Sequence, residues 1–265
     1  MPISEFPLLD APEAINQVIA WARQAGQIAL CYFNNVDYQR KADHTFLTQA
    51  DLEIEHFLVE QIRTAYPDHN LIGEEGARSS DHQSSPNTWT IDPIDGTTTF
   101  VQGLPGWGIS IGLLHQGQPC FGLFYMPLLD DLTYTTDQGE VYGNGRLLNE
   151  TLRRDWENKG FLAVNSSAHH DFQINLKRIR ALGSAGANLI YTARGSATAA
   201  FLQKARLWDV VAGAAILARV GGELRYLSGK PVDYLELMDG RLIPEPIIAG
   251  RPQVLDEVQR AIRPR

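Results

Sequence analysis

The chain is poor in cysteine: two in 265 residues, Cys31 and Cys120, far apart and in no CxxC pair. That excludes a disulfide framework and a structural zinc site, and it fits a reducing compartment. Long apolar runs are also missing. No stretch reaches the roughly 18 residues that a membrane-spanning helix needs, and Met1-Pro2-Ile3-Ser4-Glu5-Phe6 has neither the basic nor the apolar part of a leader. The expectation is a cytoplasmic protein with no membrane partner. Positive charge is in deficit as well, with 23 Lys+Arg against 31 Asp+Glu and a formal net charge of −8. The densest basic stretch is only Lys177-Arg178-Ile179-Arg180, so no nucleic-acid partner is expected.

What the chain does have is 44% apolar residues, enough for a large core. Ile15, Val18, Ile19, Ala22, Ala25, Ala29 and Phe33 recur at helical spacing over 12–33, and Ile54, Phe57, Leu58, Ile62 and Ala65 do so over 51–65. The polar stretch 40–48 between them reads as mobile. From Trp89, short apolar runs punctuated by glycine and proline predict strands at 89–91, 108–114, 120–125, 132–135 and 140–142, in an antiparallel meander. Beyond residue 150 the pattern predicts a strand at 161–164, helices near 171–180, 184–193 and 209–220, and a strand pair 223–226 with 247–249. A C-terminal helix carries Val254, Val258 and Ile262. The expected fold class is α+β, layered, as one domain over 1–265 with an N-terminal lobe to about residue 150 and a C-terminal lobe beyond it.

Three separated segments concentrate carboxylates beside turn-forming or helix-starting residues. In Leu71-Ile72-Gly73-Glu74-Glu75-Gly76, two glycines bracket two carboxylates at the end of a short strand. In Trp89-Thr90-Ile91-Asp92-Pro93-Ile94-Asp95-Gly96-Thr97-Thr98-Thr99-Phe100, Pro93 fixes the backbone between two aspartates. Gly96-Thr97-Thr98-Thr99 then offers backbone amides to an anion. In Leu207-Trp208-Asp209-Val210-Val211-Ala212-Gly213, Asp209 starts a helix. Taken singly, these read as a solvated turn, an Asx turn and a helix cap. Bare carboxylates brought together would repel and stay partly protonated, whereas hard oxygen ligands beside an amide-rich turn suit Mg²⁺ and a phosphate.

In this order the segments resemble the motifs of the inositol monophosphatase family, Mg²⁺-dependent phosphatases related to the fructose-1,6-bisphosphatases, and the resemblance runs from about residue 12 to 263. It implies a layered αβαβα sugar-phosphatase fold, a homodimer, inhibition by lithium, and two or three Mg²⁺ ions. It also implies hydrolysis of a small polyol or sugar phosphate, inositol-1-phosphate-like, by metal-activated water. Glu74, Asp92 and the Ile94 carbonyl would hold one ion and Asp92, Asp95 and Asp209 a second, with Glu74 also orienting water on a third. The Gly96 and Thr97 amides would cradle the phosphate. Thr48-Gln49-Ala50-Asp51 matches a family segment whose aspartate pairs with the motif threonine, so Asp51 and Thr97 would activate the water. The same four residues also read as a helix capping box. Lys41 matches a lysine near the family's site.

For the alcohol half of the substrate, Gly183-Ser184-Ala185 would contact hydroxyls together with Asp95 and Asp209. Counting back without gaps from Trp208, the family's ring-contacting glutamate falls on Leu202. Leucine accepts no hydrogen bond, and losing such a partner costs about 1–3 kcal/mol of discrimination, which argues against inositol itself. Fructose 1,6-bisphosphate, histidinol phosphate and nucleotide 3′-phosphates are the alternatives, and a cation-binding regulatory protein without turnover is the alternative of another class. Gly108-Ile109-Ser110-Ile111-Gly112 has the letters of a nucleophile elbow, but apolar residues continue through it as in a strand. His169-His170-Asp171 has no further histidine or cysteine at ligand spacing and reads as surface loop. Gly229-Lys230-Pro231 lacks the spacing of a phosphate-binding loop and reads as a turn. Tyr32, Phe33 and Trp21 read as core.

Overall fold

The computed structural model describes residues 12–41, 45–78, 85–157 and 159–265. The chain begins with α1 (Pro12–Tyr32), whose Ile15, Val18, Trp21, Ala22, Ala25 and Ala29 are buried, as the helical spacing predicts. Tyr32 and Phe33 are only half-buried. Next come β1 (Tyr38–Arg40) and β2 (Phe46–Thr48), an antiparallel pair where a mobile stretch is expected; the residues 42–44 of that expectation lie outside the described ones. The hairpin leads directly into α2 (Gln49–Ala65).

A sheet then builds up in nearly sequential order: β3 (Asn70–Gly73), β4 (Asn87–Asp95), β5 (Gly108–His115), β6 (Gln118–Met126), β7 (Asp131–Thr135), β8 (Val141–Gly143) and β9 (Arg146–Leu147). The short helix α3 (Thr97–Val101) separates β4 from β5. Only β3 and β4 run parallel; every later neighbour is antiparallel, the expected meander.

The C-terminal half adds β10 (Leu162–Val164), α4 (Ala168–Asp171), β11 (Phe172–Ile174), β12 (Ile179–Ala181), α5 (Ala185–Ala193) and β13 (Ala199–Leu202). It ends with α6 (Leu207–Arg219), β14 (Glu223–Tyr226), β15 (Ile247–Gly250), α7 (Pro252–Ala261) and β16 (Ile262–Pro264). The second sheet has the order β12-β10-β13-β15-β14. The helix expected near 171–180 is instead two strands: β11 pairs antiparallel with β16, and β12 pairs parallel with β10. Phe172, Ile174 and Leu176 pack against the α7 core at a period of two, so the local pattern belonged to a strand. Ile262 likewise leaves the expected C-terminal helix to begin β16.

Strand alternation sorts the layers. On β5, Ile109, Ile111 and Leu113 join the core formed with α1 and α2, while Ser110 and Gly112 face α6. On the second sheet, Ala163, Ala200, Leu202 and Ala249 share a core with α5 and α6, and Leu162, Val164, Phe201 and Ile248 share one with α7. The result is a helix, sheet, helix, sheet, helix stack. The helix layer between the sheets sits close because Gly112 and Gly122 carry no side chain: a Cβ on Gly112 would stand 2.6 Å from the Val211 side chain, and one on Gly122 would run into the Ala212 carbonyl. Among the described residues no helix is long and apolar enough to cross a membrane.

Candidate functional site

Asp92 and Asp95 sit three apart on β4, a spacing that in a regular strand sends side chains to opposite faces. The pairing with β5 shifts here: Asp92 lies opposite Ser110, but Asp95 lies opposite Gly108. That extra residue, at Pro93-Ile94, is a bulge. Proline suits it because it has no N–H to leave unpaired. Oxygen atoms of Asp92, Asp95 and Asp209 consequently all lie within 4.8 Å of one another.

Two of the three carboxylates are fastened to helix N-termini. Asp95 accepts from the Ala185 and Gly186 amides at 3.2 and 2.5 Å, at the start of α5. Asp209, in the first turn of α6, accepts from the Arg206 amide at 2.6 Å. The loop between β12 and α5 is brought against α3 by Thr99 Oγ1 donating to the Gly183 carbonyl at 2.7 Å. Gly96 is required at this seam: its φ is +94°, and a Cβ would stand 2.8 Å from Ser184. Gly96, Thr97, Gly183, Ser184 and Ala185 are thereby gathered with Glu74, Asp92, Ile94, Asp95 and Asp209 around one cavity of about 1000 Å³.

Helix termini favour a carboxylate's charge, yet the cluster is under-compensated. Burial, then the charges of Glu74, Asp95 and Asp209, hold Asp92 well above the usual carboxylate range. Burial followed by Asp95 and Glu74 pushes Asp209 up to about 8. Asp95 rises to about 6 through burial, although hydrogen bonds from Ser184 and the α5 amides oppose the shift. Asp92 Oδ1 is buried with no hydrogen-bond partner. An orphaned anionic oxygen within a group of hard oxygen donors fits a divalent cation such as Mg²⁺.

Glu74 follows β3 and approaches the cluster because β3 runs parallel beside β4, with the Glu74 amide donating to the Ile91 carbonyl at 3.1 Å. Lys41 Nζ donates to Glu74 at 2.9 Å and to Glu75 at 2.6 Å. Glu55 on α2 accepts from the Glu75 and Ala77 amides at 2.8 and 2.9 Å and so fixes this turn. Sequence reading missed Glu55 because the helical pattern assigns it only a face; the bare Gly73 that makes room for its carboxylate is the available signal.

Asp51 is fully buried, and burial pushes it up to about 7. Its Oδ2 accepts from Thr48 N at 2.8 Å and Thr48 Oγ1 at 2.6 Å, so the capping-box reading of Thr48 to Asp51 is realised. Its Oδ1 has no partner. The expected Asp51–Thr97 hydrogen bond is not made: Thr97 Oγ1 donates to the Ile94 carbonyl at 3.1 Å. Leu202 does not reach the cavity at all. It is fully buried in the core between α5 and α6, and Lys204, two residues on, lines the cavity. The ungapped count from Trp208 therefore named a core position.

The remaining motifs fall away on geometry. Ser110 is buried within β5 and donates to the Trp208 carbonyl at 3.4 Å, which is a structural role. His169 and His170 are exposed on the short α4.

The inositol monophosphatase family model matches residues 10–259. A putative Nus factor SuhB from Neisseria meningitidis is 31% identical over 271 residues, covering 94% of this chain and 97% of the relative. The inositol-1-monophosphatase of Bacillus subtilis is 30% identical over 251 residues, covering 88% and 90%. Among solved structures, extragenic suppressor protein suhB from Bartonella henselae superposes with a TM-score of 0.80 at 23% identity, covering 94% of this chain and 98% of that one. The chain belongs to the inositol monophosphatase family.

Proposed function

We propose that the chain is a Mg²⁺-dependent phosphomonoesterase acting on a small polyol or sugar phosphate. One observation carries the reading: a cluster of carboxylates, Asp92 and Asp95 buried and Asp209 half-buried, with an unpaired Asp92 oxygen, opening onto one cavity beside the Gly96–Thr97 turn. Glu74, Asp92 and the Ile94 carbonyl would hold one ion, and Asp92, Asp95 and Asp209 would hold the other. Bound there, Mg²⁺ would supply positive charge to the phosphoryl oxygens and lower the pKa of water. The chain's own amides at Gly96 and Thr97 take the phosphate, and Gly183, Ser184 and Ala185 orient the alcohol.

Asp51 acts as general base through Thr97. For that, the Thr97 hydroxyl exchanges its bond to Ile94 for one to Asp51 Oδ1, which frees the Ile94 carbonyl in the same movement. Family membership supports the accompanying expectations of a single domain, a cytoplasmic homodimer and lithium inhibition.

A second reading, a cation-binding regulatory protein without turnover, is favoured by one finding: the Neisseria relative is named for a Nus factor and not for a hydrolase. A phosphate-release screen over small phosphate esters with Mg²⁺, with and without Li⁺, separates the two. The proposal expects Mg²⁺-dependent release that Asp209→Asn nearly abolishes. Mg²⁺ binding without release from any ester overturns it, as does full activity in Asp209→Asn at saturating Mg²⁺.

A further inference from the structure

The cavity is wider than the carboxylate cluster, and its other wall is built by the second sheet. Strands β12, β10 and β13 are mutually parallel neighbours, so their C-terminal ends open on the same edge. In parallel arrangements that edge is where ligands sit. The residues just past those ends, Leu182 to Ser184, Asn165 to Ser167, and Lys204, all line the cavity.

The polar groups on this wall include an amide NH₂, serine hydroxyls and an ammonium. Asn165 Oδ1 is committed to the Gln203 amide at 2.9 Å, which leaves the Asn165 NH₂ without a partner among the described residues. Ser166 offers a hydroxyl, and Lys204 an exposed ammonium with no ion pair among the described residues. Asp171, at the end of α4, accepts from the Gln203 side-chain amide. Arg206, the other cation lining the cavity, is spread over the Trp208 ring at 5.9 Å and donates to the Gly240 carbonyl. The position expected to carry a hydroxyl-accepting carboxylate, Leu202, is turned into the core. A wall that sets an amide NH₂, hydroxyls and a cation toward the cavity, with no carboxylate among those lining residues, favours negative charge over a neutral polyol.

We infer that Lys204, with Asn165 and Ser166, forms a second anion subsite, so that the preferred substrate is a phosphomonoester carrying another anionic group, phosphate or carboxylate, at its far end. This rests on the phosphatase reading and adds the substrate class to it. A phosphomonoester that ends in a neutral polyol would meet Lys204 with nothing to neutralise it.

Two matched pairs of esters test the subsite in the full-length chain with Mg²⁺: fructose 1,6-bisphosphate against fructose 1-phosphate, and 3-phosphoglycerate against glycerol 3-phosphate. The expected result is a preference of about 10-fold in kcat/KM for the doubly anionic member of at least one pair, carried in KM. The pair showing it identifies the second group as phosphate or carboxylate. Lys204→Gln should remove that preference and Lys204→Glu should invert it, the change falling on the doubly anionic esters more than on the singly anionic ones; Lys204 is exposed, and the melting temperature of each variant checks that it folds. Turnover with no preference in either pair, or a preference that Lys204→Gln leaves intact, overturns the subsite. An absence of turnover on all four esters overturns the phosphatase reading and the subsite with it.

Discussion

Removing one charge from the carboxylate cluster should stabilise the metal-free protein, and Asp92→Asn tests this most directly. Asp92 is 2% exposed, its Oδ1 is unpaired, and oxygens of Asp95 and Asp209 lie within 4.8 Å. Two unit charges at that separation repel by about 3.5 kcal/mol at an effective dielectric near 20, and by about 0.9 kcal/mol in water. Asp209 is only half-buried, so water reaches the cluster and about 1–2 kcal/mol should be recovered. At about 2–4 °C per kcal/mol for a chain of this size, the variant should melt roughly 2–8 °C above wild type in EDTA at low salt and mildly alkaline pH.

The pH matters because the folded-state carboxylates titrate high, Asp92 well above the usual carboxylate range, Asp95 near 6 and Asp209 near 8, so the charge that the variant removes is present in full only at alkaline pH. Wild type therefore takes up protons that relieve the repulsion as pH falls, and the advantage of the variant should shrink. Mg²⁺ should reverse the order, since an ion at a hundred times its Kd adds about 2.7 kcal/mol to wild type and little to the variant. Differential scanning fluorimetry across a Mg²⁺ series reads both effects. If Asp92→Asn melts below wild type in EDTA, the carboxylate is a satisfied structural group; if it keeps the full Mg²⁺ shift, it is no ligand. Either result refutes the reasoning.

Gly186→Ala should destabilise the protein and blunt its Mg²⁺ response, although helix propensity alone promises about 1 kcal/mol of gain. The new Cβ would fall 2.6 Å from Asp95 Oδ2 and against the Phe124 ring, displacing the carboxylate from the α5 amides; a higher melting temperature with unchanged Mg²⁺ dependence would contradict this. Acid should weaken the fold through His69, whose Nδ1 accepts from Trp89 Nε1 at 3.0 Å and whose Nε2 lies 3.1 Å from the Asn87 amide, itself 2.7 Å from His115. Burial lowers the His69 pKa, with Asp68 weakly opposing, so the unfolded chain binds the proton more readily and stability falls as pH drops below the ordinary histidine range. Urea midpoints at pH 7 and pH 5 should differ more in wild type than in His69→Gln, and equal differences would remove His69 from the account.

The parts of the fold and site that were legible in the sequence are those encoded locally. The meander from 108 to 135 needs only alternation and short turns, and α1 and α2 need only their apolar spacing. The three carboxylate segments were legible because each joins its acidic residue to a backbone device: a glycine turn at Gly73, a proline bulge at Pro93 and a helix start at Leu207. The segment 171–180 differs from its expectation because both of its pairing partners are remote, β16 at the C-terminus and β10 on the far side of α4 and β11. Strand β13 is four residues long and half alanine, so its identity comes from the neighbours that flank it and not from its own side chains. The same remoteness hid the alcohol end of the cavity. Whether residue 202 or residue 204 faces the ligand depends on where β13 ends and on its pleat, and an ungapped count cannot supply that.

The site also shows why its carboxylates and its core helices are not separable features. Asp95 holds two amides of α5, and Asp209 holds the chain just ahead of α6; α5 and α6 together form the layer on which both sheets pack. The helix termini are therefore what allows charged oxygens to be buried here at all, and the carboxylates in turn fix where those helices begin. The compensation is incomplete, because Asp92 has no helix terminus of its own and carries the unpaired oxygen. An ion bound to Asp92 would thus relieve a strain located between the two sheets. Binding of Mg²⁺ should then tighten the α5–α6 layer as a whole, protecting amides as distant as those of β5 and β6 against hydrogen exchange and not only those of the residues that touch the ion.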